Sequence, residues 1–282
     1  KHAKTVFETS QFEKRDQQGN VVVRIKLEKP IGLLFEGVDL NKYFHIEDED
    51  LEETELVKTL DDIQENFCYL FVGHWLQGDL GEDRKNTGLM LKTFLETFQN
   101  KKERPALILK KIDAIRSSVG DNVPNVYLLH GELSDADMNN LYNHPKVKAM
   151  FNLTKGEGFG RPILEFAMAK KPIIISAWSG HIDFLQQDLT CLLGGELRNV
   201  HPSAAVANMI LTESQWFSPN ITQAKHYLKD VYENYKKYKD LAKQQSHKCK
   251  TEFSFEKMKE LLSKYTELVP KQVPLQLPKL KK

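Results

Sequence analysis

Residues 147–165 read Val-Lys-Ala-Met-Phe-Asn-Leu-Thr-Lys-Gly-Glu-Gly-Phe-Gly-Arg-Pro-Ile-Leu-Glu, and this order decides the fold. The apolar run at 147–153 has the composition of a buried strand. Gly156, Gly158 and Gly160 follow it, and glycine lets a backbone turn through positive φ and come close to a ligand. A helix then starts near Arg161 and Pro162, because proline in the first helical turn gives up an amide hydrogen that had no partner there. Strand, glycine turn and helix start make a unit that holds anions, with unpaired amides pointing outward. Glu157 lies on the turn and Glu165 about one helical turn into the helix, so both are placed to accept hydrogen bonds from hydroxyls on one bound molecule. A ligand with a diphosphate in the middle and hydroxyls on both sides is a nucleotide sugar.

Outward from this stretch the same alternation continues. Apolar, strand-like runs occur at 67–72, 106–109, 126–129, 172–176 and 190–193. Amphipathic stretches separate them, such as 88–98 with Leu89, Leu91, Phe94, Leu95 and Phe98. The pattern predicts an α/β fold, a Rossmann-like parallel sheet with helices on both faces, and the near-continuous apolar strands agree with burial on two sides. Ligands of such sheets sit beyond the carboxyl ends of the strands, where Gly73, Gly131 and the Glu157 turn all fall. Three loops are thereby expected to converge on one crevice.

Composition narrows the class. The chain has 282 residues, 40% apolar and 28% charged, as in an ordinary globular protein. Forty Lys and Arg against 39 Asp and Glu give a formal net charge of +1, so no global basic footprint calls for a nucleic acid partner. Cys68, Cys191 and Cys249 are odd in number and widely spaced, which argues against a disulfide framework and a zinc site. A reducing, cytoplasmic setting is expected, and peripheral contact with a membrane is compatible with it. No run approaches the length of a membrane span, the first residues lack a signal-peptide core, and the chain begins without Met, as a trimmed or partial chain would.

Five segments, in order, resemble the retaining glycosyltransferases of the GT-B fold, in the group one (glycogen-synthase-like) family with its Glu-x7-Glu signature. They are Ile-Gly-Leu-Leu-Phe-Glu-Gly-Val-Asp at 31–39, the run 69–73 with Arg84-Lys85-Asn86 after it, the stretch 125–142 with Leu-Leu-His-Gly-Glu-Leu-Ser-Asp, the Glu157 motif, and 171–185. The resemblance implies that residues 31–255 form the donor-binding domain. Residues 1–30 would be the end of an amino-terminal, acceptor-binding domain that is otherwise missing. Residues 256–282 would be the carboxyl-terminal helix and a loosely held basic tail, and 224–243 an earlier helix.

The resemblance also implies roles. Glu157 would bond a hydroxyl of the transferred sugar, Glu165 the ribose hydroxyls, and Lys85 would neutralise the donor's diphosphate. The amides of Gly158, Phe159 and Gly160 would meet that diphosphate, while Gly131, Glu132 and Leu133 would read the base. Gly73 is the strand-end glycine. His74 stands where the family commonly has an arginine, and Arg84 would compensate for it. Arg161 either bonds phosphate or faces solvent. Gly180, His181 and Asp183 fall where the sugar pocket closes. The activity implied is a metal-independent, retaining hexosyl transfer from a nucleotide diphosphate sugar, with no cofactor, to a glycan, lipid or protein acceptor held by the missing domain. This chain alone would then bind donor and transfer poorly.

Plainer readings stand beside these. Glu157 reads equally as a solvated loop carboxylate, Glu165 as an exposed partner of Lys170 or Lys171, and Lys85 as a solvated loop lysine. Ser134 and Asp137 suit an ordinary helix cap. Tyr227, Tyr232, Tyr235 and Tyr238 have the spacing of a helix packed on a core rather than of a nucleic-acid platform. The rival functions are a nucleotide-sugar binding module without turnover and a doubly wound domain without a nucleotide role.

Overall fold

The computed structural model describes residues 12–25, 31–73, 76, 78–110, 122–129 and 131–267. The segment at 6–11, His74 and the tail from 269 onward lie outside the described residues. The chain divides into a small unit, residues 1–37 with 256–282, and a large one, residues 38–255.

In the small unit β1 (Phe12–Arg15) pairs antiparallel with β2 (Val21–Ile25). The turn between them is closed by Asp16, whose carboxylate accepts the amides of Gln18 and Asn20 at 2.9 and 2.8 Å.

The large unit runs α1 (Glu55–Asp61), β3 (Cys68–Val72), α2 (Thr87–Phe98), β4 (Ala106–Lys110), β5 (Val126–Leu129), α3 (Asp135–Asn143), β6 (Val147–Asn152), α4 (Arg161–Ala167), β7 (Ile173–Ser176), β8 (Cys191–Leu193), β9 (Gly195–Asn199), β10 (Gln215–Pro219), α5 (Ile221–Glu233) and α6 (Tyr235–Glu252). The last described helix, α7 (Phe255–Glu267), belongs almost wholly to the small unit, where the Tyr265 hydroxyl donates to the Leu33 carbonyl at 3.0 Å.

Six strands form one parallel sheet in the order β5-β4-β3-β6-β7-β8. This is the doubly wound arrangement that the alternation predicts. Side-chain alternation along β3 shows why both faces need cover. Cys68 and Leu70 join a cluster with Leu141, Tyr142 and Phe166 from α3 and α4, whereas Tyr69 and Phe71 join Phe94, Phe98 and Leu228 from α2 and α5. Each such buried side chain contributes about 1.5–3 kcal/mol. Tyr69 keeps its hydroxyl satisfied by donating to the Leu228 carbonyl at 2.6 Å, which fixes α5 over the sheet.

The winding reverses between β3 and β6. Connections leave these neighbours toward opposite edges of the sheet, and in doubly wound sheets ligands bind at such a reversal, beyond the carboxyl ends of the strands. Two features depart from expectation. An antiparallel hairpin, β9 with β10, follows β8, and the helix expected at 224–243 is two helices broken at Asn234, whose backbone has φ −118 and ψ 36. The tyrosines there pack inward: the Phe67 ring meets Tyr232 at 5.1 Å and Tyr235 at 5.4 Å.

Candidate functional site

The loops on either side of the winding reversal are stitched together. The Lys155 amide donates to the Arg84 carbonyl at 2.8 Å, the Arg84 guanidinium donates to the Gly156 carbonyl, and the Asn86 amide group donates to the Leu153 carbonyl at 3.1 Å. Asn86 itself sits at φ 56 and ψ 32, a left-handed conformation that asparagine tolerates, and it opens α2. The stitching brings Arg84 and Lys85 against the glycine turn.

Across this seam Lys85 Nζ lies 2.6 Å from Glu157 Oε1, and Arg84 Nη1 lies 3.6 Å from Oε2. The Lys85 and Glu157 side chains are only 17% and 10% exposed, so each charge depends on the other for compensation. The solvated-loop readings of both residues are therefore replaced by a mostly buried ion pair.

The turn's donors are fewer than the sequence suggests. The Gly156 amide is taken by Thr154 Oγ1 at 3.3 Å and the Glu157 amide by Ser179 Oγ at 2.6 Å. Among the described residues no acceptor pairs with the amides of Gly158, Phe159 and Gly160. A Cβ added at Gly158 would meet nothing within 4 Å, so the space before it is open. Gly160, at φ 92, is the residue that caps α4. Phe159 anchors the turn through a ring contact with Phe184 at 5.2 Å. The helix behind the turn has seven residues, so the loop amides and the adjacent cations supply most of the positive potential.

Glu165 is buried in a second polar network. Its Oε1 accepts from Arg161 Nε at 2.8 Å and its Oε2 lies 3.4 Å from the Tyr142 hydroxyl. Burial pushes its carboxyl above the ordinary range, and Arg161 and Tyr142 act in the opposite direction. The pairing with Lys170 or Lys171 does not form: Lys171 is buried elsewhere, donating to the His144 carbonyl at 2.8 Å. The Arg161 side chain, held to Glu165 through Nε, stays 60% exposed.

Ser134 caps α3 by accepting the Asp137 amide at 3.1 Å, as the plainer reading holds, and it leaves Gly131 and Leu133 just before the cap. Gly131 sits at φ 123 with open space around it, while Leu133 is half-buried against the core. Gly73 ends β3 where a Cβ would strike the Phe71 ring at 2.6 Å. His181 is wholly buried, and its Nε2 lies 2.6 Å from the Ser176 carbonyl, which requires the hydrogen on that nitrogen. Burial lowers its pKa, so it is a neutral support under the Gly160 turn. The sequence gives no signal for Ser179 or Tyr142, whose roles arise from contacts made across the fold.

Among the described residues no group of three or more His, Cys, Asp or Glu side chains could hold a metal ion. No helix among them is long and apolar enough to cross a membrane.

No family model matches the sequence, and no curated protein matches it. Solved structures do match in shape. One is sucrose-phosphate synthase from Thermosynechococcus elongatus, at 12% identity and TM-score 0.53, over 82% of this chain and 51% of that one. Another is HepE from Anabaena, solved with UDP and glucose, at 15% identity and TM-score 0.52, over 84% of this chain and 56% of that one. A third is the carboxyl-terminal domain of the group 1 family glycosyl transferase LpcC from Francisella tularensis, at 12% identity and TM-score 0.52, over 78% of this chain and 100% of that domain. The chain thus spans about half the length of the first two. At identities this low the likeness is one of fold, and the fold is that of the Rossmann-like domain of GT-B glycosyltransferases.

Proposed function

We propose that this chain is the donor-binding half of a retaining glycosyltransferase, which takes a hexosyl group from a nucleotide diphosphate sugar without a metal ion. The observation that carries the reading is the Lys85–Glu157 pair at the winding reversal, beside the unpaired amides of Gly158, Phe159 and Gly160. The proposed chemistry follows charge. As the bond between the anomeric carbon and the diphosphate oxygen breaks, negative charge grows on the leaving group. Lys85, Arg84 and the three amides stabilise that charge, in a crevice where such interactions are stronger than in water. Glu157 accepts a hydrogen bond from a sugar hydroxyl and orients the ring. Glu165 accepts from the ribose, Gly131 and Leu133 border the base, and Gly73 lies at the mouth. The acceptor is held by a domain outside this chain, and residues 31–255 are the donor domain.

HepE was solved with UDP and glucose, so UDP-glucose is the first probe, with GDP-mannose and ADP-glucose beside it. Calorimetric titration is expected to find binding of at least one, weakened about tenfold or more by Lys85→Ala and by Glu157→Ala. Silence with all three would end the proposal. The second reading is a nucleotide-sugar binding module without turnover. Sugar release on pairing the chain with an acceptor domain separates the two.

A further inference from the structure

Ser179 occupies a backbone conformation, φ 80 and ψ −155, that is essentially reserved for glycine. Other non-glycine residues at positive φ among those described are Asn86, Asn100, Asn122 and Asn208, a residue type tolerant of it, and Lys170 at φ 58, near the left-handed helical value. Strain of Ser179's kind persists only where the surroundings enforce it, and here they are visible. The Glu157 amide donates to Ser179 Oγ at 2.6 Å, the Ser179 hydroxyl donates to the Glu157 carbonyl, and the Gly180 amide donates to Ser179 Oγ at 2.7 Å and to the Glu157 carbonyl at 3.1 Å. One hydroxyl therefore grips residue 157 on both sides of its Cα. Gly180 lies flat against the same turn, since a Cβ on it would come within 2.1 Å of the Gly158 carbonyl oxygen.

We infer that Ser179 is a positioning residue: its hydroxyl fixes the backbone of Glu157 and so aims the carboxylate, 2.6 Å from Lys85, at the donor's sugar. The inference rests on the donor-binding reading above. It separates hydroxyl from strain, because Ser179→Gly removes both while Ser179→Ala removes the hydroxyl alone.

The test titrates the 282-residue chain and both variants with UDP-glucose, GDP-mannose and ADP-glucose, and with the matching free nucleoside diphosphates, alongside thermal melts. For the sugar nucleotide that the wild type binds, affinity is expected to fall about tenfold in both variants, while affinity for the free nucleoside diphosphate stays within about twofold. The melting temperature of Ser179→Gly is expected to exceed that of Ser179→Ala, because both lose the hydroxyl's bonds and only glycine is relieved of the strained backbone. Unchanged sugar-nucleotide affinity in Ser179→Gly overturns the inference. So does an equal loss for the free nucleoside diphosphate, which is what general disorder of the turn would give. A wild type that binds none of the probes takes the donor reading down and this inference with it, whereas a binding wild type with unaffected variants takes down this inference alone.

Discussion

Glu157 is compensated by two cations, and removing either one should cost less than half the effect of removing both. At an effective dielectric constant of about 20, charges at the Lys85 distance of 2.6 Å attract by about 6 kcal/mol and those at the Arg84 distance of 3.6 Å by about 5 kcal/mol, before desolvation is subtracted. Stripping a buried charge of all compensation costs about 3–5 kcal/mol. Lys85→Met leaves Arg84 within reach, so the expected loss of stability is about 1–2 kcal/mol, and Arg84→Met alone costs about 1 kcal/mol. The double variant strands the carboxylate and loses about 3–5 kcal/mol, exceeding the sum of the singles by about 1–2 kcal/mol. Adding Glu157→Gln removes the stranded charge and should recover at least half of that loss. Urea denaturation followed by circular dichroism measures all four variants, with the slope watched for constancy. Additivity of the singles within about 0.5 kcal/mol, or no recovery on adding Glu157→Gln, would refute the reasoning.

Two glycines of the site should behave oppositely. Gly158→Ala meets open space, so stability stays within about 0.5 kcal/mol while nucleotide-sugar affinity drops, whereas Gly180→Ala drives a methyl into the Gly158 carbonyl and should cost about 1–3 kcal/mol. Melts and titrations on the pair check this, and equal stabilities would count against the contact. Glu165 supplies a pH test. Its folded pKa is raised above 4.5 by burial, so its contribution to stability is full below the unfolded value and is lost as pH rises through the folded one. Glu165→Gln, which mimics the protonated form, should therefore be more stable than the wild type near pH 7, with the gap closing toward pH 4; a gap that widens on acidification would contradict the assignment.

The sheet was legible because its strands are nearly unbroken apolar runs, and the run expected at 67–72 emerges as Cys68–Val72, that at 147–153 as Val147–Asn152. The hairpin of β9 and β10 was not, since Gly195–Asn199 reads Gly-Glu-Leu-Arg-Asn, is exposed throughout, and carries no alternation to detect. The break at Asn234 escaped because asparagine is only mildly unfavourable within a helix; at the break its side chain donates to Asp230 at 2.6 Å. Within the site, the glycine turn could be read from local order, whereas Lys85 stood out only through the family resemblance of its segment. Which amides remain unpaired could not be read, because Ser179 takes the Glu157 amide from 22 residues away. The partner of Glu165 was missed for a simpler reason: Arg161, one turn earlier on the same helix, was weighed as a phosphate ligand or a solvated side chain and not as an i, i+4 partner.

The stitch between the two loops has a consequence for how the protein is made. Lys85 and Glu157 are 72 residues apart, and they meet only because β3 and β6 are neighbours in the sheet. Translation must therefore pass the end of β6 before the ion pair exists at all, and no synthetic peptide cut from either loop can reproduce it.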